Sequence, residues 1–280
     1  MTTLFVEQLT VIDCAYLDVA RGLVGESWIV DVELEGALDE QSMVLDFGEV
    51  KRRLKRAVDT HADHRLLVPG RAPEAQWIED GDAAHLLFRS DIGAIEHRSP
   101  GAAVLRIDTD EITPEAVATD LLPRLRAVLP SSVGGVRLGL RSERIDGAYY
   151  HYVHGLKKHD GACQRIAHGH RSRIEIRVDG RRDTALEHGV ASRWLDIYLG
   201  TRADIVAHGS GRVRFAYTSR EGHYQLAMPE THVDLLDDDS TVECIAGHLA
   251  RGLAPQHPGR EIQVRAYEGV MKGAVATARA

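Results

Sequence analysis

Two stretches of strict alternation frame this chain. WIVDVELEG, ending at Gly36, and SRIEIRVDG, ending at Gly180, place apolar residues at every second position, as a half-buried antiparallel strand does. A helical period replaces that alternation in FGEVKRRLKRAVDTH, which follows Asp46, a residue suited to cap a helix N-terminus. Another helix is predicted from Thr113, with threonine as the cap, Pro114 in the first turn and Glu115 behind it. The stretch from Val68 to Ala102 holds Gly, Pro and scattered apolar residues, and reads as loops with one short strand around AHLLFRS.

The pattern occurs twice. VGESWIVDVELEG (Val24 to Gly36) aligns without gaps on HGHRSRIEIRVDG (His168 to Gly180), and TPEAVATDLLPRLRAVLP from Thr113 matches STVECIAGHLARGLAP from Ser240. Each is followed by a strand and a glutamate, VRLGLRSE at Glu143 and IQVRAYE at Glu268; each unit then closes with a small-residue strand, GAYY or GAVATA. The coarse order in each unit is strand, strand, helix, helix, strand, strand. No linker separates the halves around Ala148 to His151, so two units, 1–147 and 148–280, are expected to pack as neighbours.

Composition narrows the possibilities. The 280 residues have the apolar and charged fractions of an ordinary globular protein, and a net charge of −8 with interspersed signs argues against nucleic acid as the main partner. No apolar run is long enough for a membrane helix, and MTTLFVEQLTVIDCAYLD lacks the basic segment of a secretion signal. Three cysteines are too few and scattered for a disulfide framework, so a cytoplasmic setting is expected. Cys14 and Cys244 read as buried small apolar residues, Thr241 and Glu243 as helix-start residues, and KRRLKR as the wet face of a helix.

The candidate chemistry lies at the centre. His168 and His170 are two apart on a strand and point to one side, and His154 can complete a set of three. Three neutral imidazoles with an open fourth position suit a catalytic zinc ion. His151 and His159 flank the cluster as alternative third ligands. Cys163, five residues before the pair, is placed to act as a nucleophile or base. An enzyme is the leading expectation.

The same residues resemble the 6-pyruvoyl-tetrahydropterin synthase and 6-carboxytetrahydropterin synthase family, in tandem. The second half carries YHYVHGL, Cys163, the HGH pair, TVECIA and a terminal YE; the first carries MVLDF, THADHRLL, TPEAVA and Glu143. The resemblance implies an α+β fold of two tandem tunnelling-fold (ββααββ) units, antiparallel sheets with helices on one face, assembling into barrels. It implies zinc on His154, His168 and His170, Cys163 as the catalytic cysteine, and Asp63 and His64 as the aspartate–histidine pair. Either Glu268 or Glu143 would anchor the pterin, with Thr241 and Glu243 as secondary contacts.

Departures from the family pattern are complementary. In the first half Val24 and Glu26 replace the HGH histidines, and the upstream histidine falls near Asp13. In the second half no aspartate–histidine pair follows the helix that ends near Asp196; LGTRADIVAHGSG replaces it. One composite site between the units is therefore expected, with a second interface left empty. The implied activity is that of a zinc-dependent pterin lyase or synthase acting on 7,8-dihydroneopterin triphosphate, of carboxy or pyruvoyl type. Zinc would stabilise negative charge on the substrate's side-chain oxygens, and Cys163, helped by His64, would move the proton. The alternatives are a non-catalytic pterin-binding or assembly protein of the same fold, and a metal hydrolase of another substrate. A homo-oligomer is implied, either a pseudo-hexamer of three tandem chains or a dimer of barrels.

Overall fold

Long alternating runs make long strands. In the computed structural model, which describes residues 1–38 and 40–280, β1 (Thr2–Asp18) and β2 (Gly22–Gly36) form an antiparallel hairpin. α1 (Phe47–His61) follows, and its predicted cap is present: Gly48 N–H donates to Asp46 Oδ1 at 2.7 Å. Then come β3 (Leu66–Pro69), β4 (Ala75–Ile78), β5 (Ala83–Ser90), β6 (Gly93–Pro100) and β7 (Val104–Ile107). α2 (Pro114–Val128), capped by Thr113, and β8 (Val133–Ser142) complete the first half.

The second half repeats this order. β9 (Tyr149–His154), β10 (His168–Val178), the two-residue β11 (Arg181–Arg182) and α3 (Thr184–Arg193) lead to β12 (Ile197–Thr201), β13 (Ile205–Gly209), β14 (Arg212–Ser219), β15 (Gly222–Pro229) and β16 (Val233–Leu236). α4 (Val242–Leu253), β17 (Glu261–Tyr267) and β18 (Gly273–Arg279) end the chain. One sheet runs β7-β3-β1-β2-β8 and another β16-β12-β9-β10-β17-β18, so each strand of the first has a counterpart at the same place in the second. The pairing directions also agree: β1 and β9 are antiparallel to the next strand and parallel to β3 and β12 respectively.

Two expectations need correction. GAYY does not close the first unit, because Tyr149 to His154 pair with β10 as the first strand of the second sheet. Val68 to Ala102 is mostly strand: β4, β5 and β6 join β13, β14 and β15 in a third sheet, ordered β13-β14-β15-β6-β5-β4. These strands are short and mix polar with apolar residues, and their stability comes from pairing across the two halves, which local periodicity does not reveal. Their central junction pairs Leu226 with His97 and Gln225 with Arg98.

Each long sheet has helices on one face. Leu54, Val58, Val117 and Leu121 bury against Ile12 and Val30, and Ile245 and Leu249 occupy the corresponding place over Tyr150 and Ile174. The opposite faces meet each other and the third sheet, around Ala15, Leu17, Leu23, Val153 and Phe88. From Gly22 to Val30, β2 is therefore buried on both faces, and from Val30 to Gly36 burial alternates as the pattern of WIVDVELEG implied. Cys14 is fully buried as expected, whereas Cys244 is only partly so.

The two sheets touch backbone to backbone at Gly25 and Gly169, the aligned glycines of the repeat. A Cβ on Gly169 would lie 2.6 Å from the Gly25 Cα, and one on Gly25 would overlap the Tyr152 carbonyl. Backbone atoms cannot yield as a flexible side chain can, so Gly169→Ala is expected to cost about 3 kcal/mol or more in urea unfolding. Gly189→Ala, at a helical glycine with open space around it, is the control and is expected to be neutral or stabilising by up to about 1 kcal/mol. Equal midpoints for the two variants would contradict this crossing point.

A histidine and cysteine site between the halves

Cross-strand register brings the three histidines together. His168 pairs directly with His154, and His170 pairs with Tyr152, so the side chains of residues 152, 154, 168 and 170 share one face. Ring centroids lie 4.4 Å apart for His154 and His168 and 5.2 Å apart for His154 and His170. All three histidines are at most 1% exposed.

The outer nitrogens of His154 and His168 are held by carbonyl oxygens. His154 Nδ1 donates to the Ser240 carbonyl at 2.8 Å and His168 Nδ1 to the Arg165 carbonyl at 2.9 Å; carbonyls only accept, so these nitrogens carry the protons. His170 Nδ1 lies 3.1 Å from Asp13 Oδ1. The Nε2 lone pairs are thereby left to converge, and those of His154 and His170 are 3.1 Å apart. A proton or a metal cation must sit between such lone pairs. Burial, reinforced by neighbouring histidines, pushes His154 and His168 well below the ordinary histidine range, which keeps them neutral and ready to ligate. The donor set thus fits a tetrahedral divalent cation with an open position.

The other half supplies the neighbouring groups. Asp63 and His64 follow α1, where His64 takes a positive φ of 53° that turns its ring toward the second half. Its Nδ1 donates to Asp63 Oδ2 at 2.7 Å, and its ring centroid is 4.9 Å from that of His168. Burial alone would lower the His64 pKa, but hydrogen bonds to Asp63 and Cys163 outweigh it and push the value up to about 10. Cys163 is half-buried on the short turn 162–164. Gln164 locks that turn: its Oε1 accepts from Ser219 and from Glu221 N–H, and its own carbonyl accepts from the Tyr217 hydroxyl at 2.7 Å.

The remaining expected residues divide. Glu268 stands beside Asp13 through Lys272, whose Nζ is 3.4 Å from Glu268 and 3.5 Å from Asp13. The backbone carbonyl of Glu143 accepts from Arg171, and among the described residues its buried Oε2 has no hydrogen-bond partner. Thr241 caps α4 and adjoins the Ser240 carbonyl that orients His154, whereas Glu243 is exposed and, among the described residues, has no hydrogen bond or ion pair to the histidines. His151 turns to the opposite side and bonds the Gly25 carbonyl at 2.7 Å, and His159 accepts from Gly161 N–H in an exposed loop. Neither joins the cluster.

Asp13 is the residue that the histidine pattern alone did not single out. It comes from the first half, is 4% exposed, and accepts from Ser27 Oγ at 2.5 Å. Burial raises its pKa, yet the charge and hydrogen bond of His170 prevail and hold it well below the carboxylate range. A carboxylate inside the apolar run VIDCAY was the available signal.

The second interface is not empty. Register puts Tyr16 opposite Val24 just as His154 is opposite His168, and Asp196, with φ 54°, follows α3 as His64 follows α1. Arg21 occupies the middle: Nε and Nη2 donate to the Asp196 carboxylate at 2.9 and 2.6 Å, and Nη1 donates to Tyr16 Oη at 3.0 Å. Nearby Glu26 is buried, which pushes its pKa up to about 7. A guanidinium therefore fills this interface, beside a cavity of about 630 Å³ lined by Tyr149, His151 and His188.

Residues 19–139 match the family model of 6-pyruvoyl tetrahydropterin synthase. That segment contains Asp63 and His64 but none of the three clustered histidines. No curated protein matches the chain. Among solved structures, a catalytic-residue mutant of Plasmodium vivax 6-pyruvoyltetrahydropterin synthase is 20% identical, covering 50% of this chain and 90% of its own, with a TM-score of 0.42. The Plasmodium falciparum 6-pyruvoyl tetrahydropterin synthase is 15% identical at the same coverage and TM-score. Residues 19–139 are thus similar to the 6-pyruvoyl tetrahydropterin synthase family, and the second half repeats the strand order of the first.

Proposed function

We propose that the chain is a zinc-dependent pterin lyase or synthase, of 6-carboxy- or 6-pyruvoyl-tetrahydropterin type, acting on 7,8-dihydroneopterin triphosphate. The observation that supports this most is the convergence of three Nε2 atoms from one half beside the Cys163–His64–Asp63 series completed by the other. In this reading His154, His168 and His170 hold the metal, which stabilises negative charge on the substrate's side-chain oxygens when bound. Cys163 removes a proton from carbon. His64, held by Asp63 and already charged, supports the Cys163 thiolate and supplies the proton returned to the substrate before regaining one from Cys163. The hydrogen bonds around Gln164 hold the sulfur in place while the proton moves.

Of the two glutamates, Glu268 is the better pterin anchor, since it shares the Lys272–Asp13 network that reaches His170. A carboxylate accepts two hydrogen bonds from an amino-pyrimidinone edge, and Lys272 lies 3.4 Å from Glu268. Glu143 faces the Arg171 side and is left out of the reaction. The open long edges β8 and β18 suit a barrel closed by further copies, which is the assembly this reading carries with it. No helix is long and apolar enough to cross a membrane among the described residues.

Zinc-loaded protein is expected to release inorganic triphosphate from 7,8-dihydroneopterin triphosphate, and Cys163→Ala to abolish the release while retaining zinc. Zinc-loaded wild type without release would sink the reading for this substrate. Asp13→Asn keeps the shape of the side chain but removes the charge facing His170. Loss of such an outer partner is expected to weaken zinc binding by about 10- to 100-fold in a chelator competition. Unchanged affinity would show that Asp13 does not orient His170.

A further inference from the structure

His168 belongs to two groups of metal-ligating atoms. In one, its ligand nitrogen lies within 4.8 Å of those of His154 and His170; in the other, it lies within 4.8 Å of His64 nitrogen and Cys163 sulfur. The Nδ1 atom of His168 is committed to the Arg165 carbonyl, so a single lone pair, on Nε2, remains for a metal. His64 is in the same position, because its Nδ1 is committed to Asp63. Two ions therefore cannot occupy both groups at once.

The groups differ in softness and in access. One offers three imidazoles, all closed off from solvent; the other offers two imidazoles and a thiolate, and its His64 and Cys163 are only partly buried. Thiolate ligands select soft cations.

We infer that His64, Cys163 and His168 form an alternative, thiolate-containing metal position for soft divalent cations, mutually exclusive with the three-histidine position. Binding there makes one sulfur–metal and two nitrogen–metal bonds. It displaces to solvent the proton that Cys163 and His64 share. Both groups proposed to move protons are consumed, and His168 is withdrawn from the first position. The site thus carries its own means of being silenced by a soft metal. The inference rests on the proposed role of the three histidines for its exclusivity, though not for the thiolate position itself.

Cadmium is the probe, added to the metal-free full-length protein while the near-ultraviolet thiolate-to-cadmium band is recorded. The band is expected to saturate at one cadmium per chain, to persist in His154→Ala, and to vanish in Cys163→Ser. With the three-histidine position first loaded with one zinc, the band is expected to grow in step with zinc released to a chromogenic chelator. Cadmium binding without the band, or a band lost in His154→Ala, overturns the alternative position. A band that grows with zinc retained overturns exclusivity. Failure of the zinc reading is distinguishable, because it appears as wild-type zinc affinity unchanged by His154→Ala, whatever cadmium does.

Discussion

The close approach of two backbones at Gly25 and Gly169 is the constraint on which the rest depends. Side chains would hold these sheets about 10 Å apart, the usual face-to-face spacing. Glycine at both aligned positions lets β2 of one half rest on the β9–β10 pair of the other. That approach puts Asp13 against His170 and brings the Asp63–His64 corner to the side of the histidine cluster. Without it, the first half has a carboxylate and a histidine with no histidine cluster beside them, and the second has three histidines lacking the neighbouring Asp13 carboxylate.

The two interfaces that follow from the repeat have diverged electrostatically. One gathers three buried imidazoles, with the Nε2 atoms of His154 and His170 3.1 Å apart. The other holds the Arg21 guanidinium, fixed by a bidentate bond to Asp196 and a third bond to Tyr16. A guanidinium cannot be deprotonated in a protein and offers no lone pair, so it satisfies the carboxylate while closing the position to metals. The two interfaces keep corresponding strand pairings while differing in the groups they gather.

Much of this was legible in the residues, and the parts that were not share a cause. The helix caps at Asp46 and Thr113, the long strands, the HGH pair and the repeat all arise from local pattern, and the structure places them where the pattern indicates. The third sheet escaped because its strands gain stability from partners in the other half. Asp13 escaped because its meaning depends on His170, 157 positions away. GAYY was assigned to the end of a unit on composition, whereas hydrogen bonding to β10 decides its place. Arg21 sits in a turn between two strands and nothing in its neighbours marks it; only the register that sets Tyr16 and Asp196 around it does.

The most direct test of the composite site is anomalous diffraction at the zinc edge on crystals of the full chain loaded with one equivalent of zinc. The account predicts a single peak per chain, within about 2.0–2.1 Å of the Nε2 atoms of His154, His168 and His170, with no peak between Tyr16, Glu26 and Asp196. A second peak at the Arg21 interface, or a lone peak away from the three histidines, would contradict it.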